Sequence, residues 1–221
     1  MTGLVCYFGE SRVVKKPREC QLPDPRHTEY MNDINHDGII ECFRSSSYGI
    51  ELARADGDLE DYIKDHLEPA DISKVAWILS LIKTFSYIHF RKVFVDDIAL
   101  RNILAFDGQL KVADFGQSIL LPLDANITTI TENDLNINIE ILHLGWILHF
   151  IASWKAHKYY FFDTDEPNLS WPVSFPKVDD VLCDKICEKD WRGEYRSTDD
   201  LSIDALELLA GQIPRAVVEK E

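Results

Sequence analysis

The sequence predicts an α+β domain built of two unequal parts, and three observations carry that prediction. Short β-branched runs separated by irregular stretches occupy the first fifty residues. From about Gly57 onward, long apolar runs recur at helical spacing. Between two of those helical runs lies Ile103-Leu104-Ala105-Phe106, the dipeptide Asp107-Gly108 and Gln109-Leu110-Lys111-Val112-Ala113. That pattern is two strands joined by an Asp-Gly turn, the strongest short-range hairpin signal a sequence offers.

Taken in order, Arg12-Val13-Val14-Lys15 reads as a strand, followed by a proline-bearing stretch from Pro17 to Pro25. A brief helix is expected over Arg26 to Ile34, a strand over Gly38 to Phe43, a turn at Ser45-Ser46-Ser47 and a last strand over Tyr48 to Leu52. A linker then runs to Gly57. Asp71 to Phe90 places Val75, Ile78, Leu79, Ile82, Phe85 and Ile88 on one face, and Ala76, Trp77 and Leu81 broaden it, so this helix is expected at the centre. Further helices are expected over residues 138–154, 178–189 and 199–209, with Asp179-Asp180 placed to start the second of them.

Composition narrows the function classes. A hydrophobic share of 46% with 11% aromatic supports a real core and argues against disorder. The net charge of −15 argues against a nucleic-acid or membrane-surface binder. Five cysteines are too few and too irregular for a disulfide framework, and Cys183 and Cys187, one helical turn apart, read as core packing. The first residues lack the basic and apolar segments of a signal peptide, and the apolar run from Ile141 to Trp154 is short of a membrane span. An intracellular protein, cytoplasmic by preference, is the expectation.

Chemistry concentrates around the hairpin. Asp97 and Asn102 precede its first strand and Asp114 follows its second, so folding the hairpin should bring the three to one mouth. Two carboxylates and a carboxamide there suit holding magnesium and a phosphate while orienting a hydroxyl. Each has a plainer alternative, since Asp and Asn also cap turns through their side chains.

Val95-Asp96-Asp97-Ile98-Ala99-Leu100-Arg101-Asn102 followed by Asp114-Phe115-Gly116 resembles the H-R-D-x-x-x-x-N and D-F-G segments of protein kinases. Gly57-Asp58-Leu59, Ile141 to Gly145, Trp191 and Arg196 resemble later features of the same family in the same order, and the likeness covers roughly residues 38–210. The Val-Asp-Asp-Ile variant and small size are similar to divergent kinase-like proteins of filamentous fungi. The resemblance implies a two-lobed protein-kinase-like fold: a truncated N-terminal β lobe with the hinge at about 1–54, and a mainly helical C-terminal lobe at about 55–215. It implies ATP and Mg2+ as cofactors and a protein hydroxyl as acceptor. Asp97 would be the base, Asn102 and Asp114 the metal ligands, and Arg101 an aid to the transferring phosphoryl or a plain surface residue. In the small lobe, Lys15 is the candidate for the phosphates, with Lys16 one register away, and Glu29 is its candidate partner or a solvated surface acid.

Departures from the family are equally legible. The His-Arg pair is replaced by Val95-Asp96, no G-x-G-x-x-G loop precedes Lys15, and no Ala-Pro-Glu follows Gly116. Asp96 would repel a loop phosphate, so switching by loop phosphorylation is not expected. Glu140 stands where the family has a bracing Asp and is expected to keep that role. Two functions follow: an ATP-dependent protein kinase, or a catalytically dead pseudokinase kept as a binding or scaffold module. A third expectation is that the chain begins late and a fuller parent carries the missing loop.

Overall fold

A computed structural model describes residues 4–16, 36–46, 48–155, 175, 178 and 182–209. The expected helix over 26–34, Glu29 within it and Asp179-Asp180 lie outside the described residues.

The N-terminal part is a four-stranded antiparallel sheet of β1 (Leu4–Phe8), β2 (Arg12–Lys16), β3 (Cys42–Ser46) and β4 (Gly49–Ala53), in the order β1-β2-β4-β3. The expected strands at 12–15 and 48–52 are β2 and β4. The strand expected over 38–43 lies further along, at Cys42–Ser46, so Ser45 and Ser46 are ladder residues and not a turn. Burial explains the shift. Ile39 and Ile40 are withdrawn from the sheet to dock on the hairpin, where Ile40 N–H donates to Val112 O at 3.0 Å and Val112 N–H to Gly38 O at 2.7 Å. β1 was not separately foreseen; its run of Leu4 to Phe8 pairs in unbroken register with β2.

The larger part begins with β5 (Gly57–Asp58) and α1 (Leu59–Asp65), whose N-terminus is capped by Asp58 accepting from Asp61 N–H at 3.0 Å. α2 (Asp71–Phe90) is the central helix the periodicity predicts, with Val75, Ile78, Leu81, Ile82 and Ile88 fully buried. β6 (Val93–Phe94) follows. The hairpin is β7 (Ile103–Phe106) and β8 (Gln109–Val112), with Asp107 at φ 49° and Gly108 at φ 71°. Two left-handed residues at the turn are what a type I′ connection requires. β5 adds to β7, and β6 pairs with β9 (Ile119–Leu120).

α3 (Ile137–Ser153) starts where the Asn136 side chain accepts from Asn138 and Ile139 N–H at 3.0 and 3.2 Å. It is buried all round: Leu144, Trp146, Ile147, Leu148, Phe150 and Ile151 each expose 1% or less. A helix apolar on every face belongs in a core, and covering side chains of this size stabilises by roughly 1.5–3 kcal/mol each. No helix among the described residues is long and apolar enough to cross a membrane. α4 (Asp184–Trp191) begins later than the expected 178, and α5 (Thr198–Leu209) matches expectation. Cys183 and Cys187 are both buried in the core cluster.

Gly145 is the tight point between α3 and α4. A Cβ built there would sit 1.3 Å from Asp190 Oδ2. Asp190 is itself wholly buried and wedged against the glycine, and burial pushes its carboxyl well above the usual range. Gly145→Ala should therefore cost about 1–3 kcal/mol by overpacking, outweighing the gain of about 1 kcal/mol in helix propensity. In an Asp190→Ala background the same substitution should become neutral or stabilising. Urea unfolding of the four chains checks this, and equal costs in both backgrounds would remove the clash as the cause.

Candidate nucleotide and phosphoryl-transfer site

The mouth is assembled by a buried carboxylate beneath it. Glu140, in the first turn of α3, is 1% exposed. Its Oε1 accepts the Val95 N–H, and its Oε2 lies 2.7 Å from His89 Nε2 at the end of α2. His89 Nδ1 in turn meets Thr198 Oγ1 at 3.0 Å, at the start of α5. One carboxylate thus ties two helices to the loop that carries Asp96 and Asp97, and the acid that replaces the family's bracing Asp does reach the loop. Burial pushes the Glu140 carboxyl up, while the bond from His89, its charge and the Val95 N–H pull it back. Val95 itself is buried, packing where the family has its His.

From Val95 the chain turns outward. Both carboxylate oxygens of Asp97 meet Arg101 Nη2, at 2.5 and 2.7 Å. Leu100–Asn102 form a single 3-10 turn, which drops Asn102 into the wall. There its Nδ2 donates to Asp97 O at 2.9 Å, and its own carbonyl accepts Ala113 N–H at 2.8 Å. The second bond carries the connection across the hairpin, because Ala113 immediately precedes Asp114. The amide nitrogen of Asn102 is committed to Asp97, so the atom it has left to offer is its oxygen.

Asp114 has a left-handed backbone, φ 60° and ψ 62°, and its side chain accepts from Gly116 N–H. A left-handed non-glycine residue is uncommon, and such strain collects where a side chain must be aimed. Its carboxylate is in direct contact with the Lys15 ammonium from β2, and both side chains are about a fifth to a quarter exposed. The register is thereby settled: Lys15 faces the mouth and Lys16 faces solvent. Lys15 thus meets Asp114, Arg101 and Asn102 both meet Asp97, and the backbone bond from Ala113 to Asn102 brings the two groups to one mouth. Glu29 alone of the sequence candidates falls outside the described residues. Asp96 is half-buried, and burial together with the neighbouring Asp97 charge raises its carboxyl.

Two residues escaped the sequence reading. His89 occupies the α2 face that also carries Ile78, Ile82 and Phe85, and a titratable residue on a buried apolar stripe was the available signal. His143, one turn beyond Glu140 on α3, is 3% exposed and held down to about 4 by burial, with the Asp97 charge opposing that shift.

The oxygen donors suit a hard divalent cation: a carboxylate from Asp114 and a carboxamide from Asn102 are the ligand types magnesium takes. A separate hollow lies at Glu68, Asp71 and Lys74 at the opposite end of α2, where Lys74 caps the end of α3 through Ala152 O at 3.1 Å.

Comparison with known proteins adds independent information. A family model described as protein tyrosine and serine/threonine kinase matches residues 21–143, more than half of the chain, including Asp97, Asn102 and Asp114 but not Lys15. The chain is 31% identical over 112 residues to serine/threonine-protein kinase KIN28 of Saccharomyces cerevisiae, covering 47% of this chain and 36% of that protein. It is 28% identical over 114 residues to L673 of Acanthamoeba polyphaga mimivirus, assigned by inference as a serine/threonine-protein kinase, covering 51% of this chain and 21% of L673. A Dictyostelium discoideum protein assigned in the same way is 27% identical over 161 residues, covering 62% of this chain and 30% of its own length. The chain spans about a third or less of these relatives.

Two expectations follow from the buried groups. Glu140→Gln should lose about 1.5–3 kcal/mol, the range for a hydrogen bond to a charged partner, and His89→Ala should cost less in that background than alone. Additive costs in urea unfolding would separate the two residues. An imidazole that protonates at 6.5 unfolded but only near 4 when folded favours the unfolded chain as pH falls through that window. Its stabilisation is full above 6.5 and about 3 kcal/mol smaller by pH 4. Glu140 and Asp190, both raised, act in the opposite sense. The stability difference between wild type and His143→Leu should therefore shift toward the variant by that amount across the window, and a constant difference would rule out His143.

Proposed function

The chain belongs to the protein tyrosine and serine/threonine kinase family, and from that membership we propose that it transfers a phosphoryl group from ATP to a protein hydroxyl. In this reading residues 1–54 are a reduced small lobe with its hinge and residues 55–215 the helical lobe, in an intracellular protein. The observation that carries it is the retention of Asp97, Asn102 and Asp114 around one hairpin, with Lys15 brought from the sheet onto Asp114.

Each role follows from the chemistry of the group. Asp97 orients the acceptor hydroxyl and takes its proton, and the Arg101 guanidinium that now neutralises it lends positive charge at the same mouth. Asn102 Oδ1 and the Asp114 carboxylate would hold magnesium, which when bound neutralises charge on the phosphates. Lys15, which now contacts Asp114, would serve the phosphates. Catalysis of this kind is positioning and charge stabilisation, so the shell beneath matters: Glu140 fixes the loop at Val95, and Ala113 N–H fixes Asn102 against Asp114. The three relatives bear the names of serine/threonine-protein kinases, which favours a Ser or Thr hydroxyl over Tyr.

One observation favours the pseudokinase alternative. Among the described residues the strand before β2 is β1, joined to it by the three-residue turn Gly9-Glu10-Ser11, and no G-x-G-x-x-G stands in the given sequence before Lys15. Both mouth acids are also already paired within the chain.

Titration with ATP, with and without magnesium, distinguishes the readings. A ligand at a hundred times its dissociation constant should add about 2.7 kcal/mol of stability. The expected result is a magnesium-dependent rise in the unfolding midpoint that Asp114→Ala abolishes with little change in the unliganded midpoint. Phosphotransfer to a generic protein acceptor should then fall at least a hundredfold in Asp97→Asn. Binding without transfer would leave the scaffold reading; no binding by folded protein would sink both nucleotide roles.

A further inference from the structure

Residues 36–40 seat the N-terminal sheet on the larger part of the molecule. Ile39 N–H donates to His36 O at 2.9 Å and closes a turn there. Gly38 lies inside that turn against α2, where an added Cβ would stand 1.7 Å from Thr84 Oγ1. The turn delivers Gly38 O to the Val112 N–H and the Ile40 N–H to Val112 O, at the end of β8. Asp114 follows two residues later. Ile40 then packs with Ala53 of β4 and with Ala113, so a small apolar cluster joins sheet to hairpin beside the mouth.

An imidazole holds this turn in shape. His36 Nδ1 accepts the Gly38 N–H at 3.0 Å, so the neutral ring keeps its one proton on Nε2. The ring stacks on Tyr87 of α2, with centroids 4.6 Å and planes 22° apart. Charged groups reach it from each element packed around it. Lys83 from α2 and Lys111 from β8 oppose a further positive charge, while Asp37 beside it in the chain favours one. Arg91 of the same helix region donates to the Tyr87 phenol oxygen at 3.0 Å, and Lys111 is held to the turn by Asp37 O. Partial burial first, and then the two lysines, hold the imidazole below its ordinary value of 6.5.

We propose that His36 is a proton-operated pin between sheet and hairpin: neutral, it holds the 36–40 turn on Val112; protonated, it releases that turn. Protonation fills the Nδ1 lone pair, and an imidazolium has two N–H donors and no acceptor. The buried Gly38 N–H is then left without its partner, and a new cation stands among lysines. Both effects push the same way, toward opening the turn. The pin is therefore fully engaged above pH 6.5 and gives way as pH falls below it. Its release slackens the seat from which Lys15 reaches Asp114, because Val112 is where the sheet side meets the strand leading to that acid. The pin stands on contacts within the chain and does not rest on the proposed phosphotransfer.

Nuclear magnetic resonance on the full chain tests this without any ligand. The His36 ring carbon and the Gly38 amide should titrate together, with one midpoint below 6.5. Hydrogen exchange at the Val112 and Ile40 amides, corrected for its intrinsic pH dependence, should lose at least about threefold in protection from about pH 7.5 to about pH 5. Ile82 and Phe85 in α2 should keep theirs. An Asn side-chain oxygen accepts an N–H two residues on but does not titrate, so His36→Asn should stay protected at both pH values. His36→Ala should exchange fast at both. Protection that does not change with pH, or changes equally in His36→Asn, would overturn the proposal, as would separate midpoints for the His36 ring and the Gly38 amide. Loss that spreads through α2 would overturn it too, by making general acid unfolding the cause.

Discussion

Everything at the mouth hangs from one buried carboxylate. Glu140 reaches the Val95 amide on one side and His89 on the other, and His89 passes the connection to Thr198. Three helices therefore meet the catalytic-type loop at a single point that water does not enter. A buried carboxyl is tolerated when its oxygens are satisfied, and here they are, by an amide and an imidazole. The arrangement converts burial into positional precision: Asp97 lies two residues from an anchor that cannot drift without unpairing those buried oxygens.

The hairpin is the second constraint. Its type I′ turn fixes the register of β7 against β8, and that register decides which residues leave the two strands together. Asn102 precedes the first strand and Asp114 follows the second, and the bond from Ala113 N–H to Asn102 O locks their neighbourhood. Lys15 arrives from a different sheet, so its contact with Asp114 is the link between the two parts of the molecule at the mouth. Such a link is weaker than the core beneath, because both partners are partly exposed and solvent screens them.

Much of this was legible in the sequence because the signals were local. An Asp-Gly turn between alternating strands, a twenty-residue amphipathic run and the five-residue offset of Asp97 and Asn102 need no knowledge of distant contacts. What escaped was set by tertiary packing. Gly38 to Phe43 has strand composition, yet Ile39 and Ile40 bury against the hairpin and the strand slides to Cys42–Ser46. β6 and β9 are two residues each, too short for periodicity to mark. His89 was hidden for the opposite reason: its helix was read correctly, but a histidine on an apolar stripe gives no sign of a partner fifty-one residues away. The choice between Lys15 and Lys16 required the sheet register itself.

The two ion pairs at the mouth bear on how such a reduced small lobe could still work. In the resting chain Lys15 neutralises Asp114 and Arg101 neutralises Asp97, so neither acid stands unpaired at the rim. In the proposed reading a nucleotide-bound divalent cation would offer Asp114 a doubly charged partner, and its phosphates would offer Lys15 a replacement for the carboxylate. Such an exchange would leave every charge paired before and after, so its free-energy cost would be a difference between similar terms and not that of baring a carboxylate. In the proposed reading, that swap of ionic partners is the route by which this mouth would hold nucleotide.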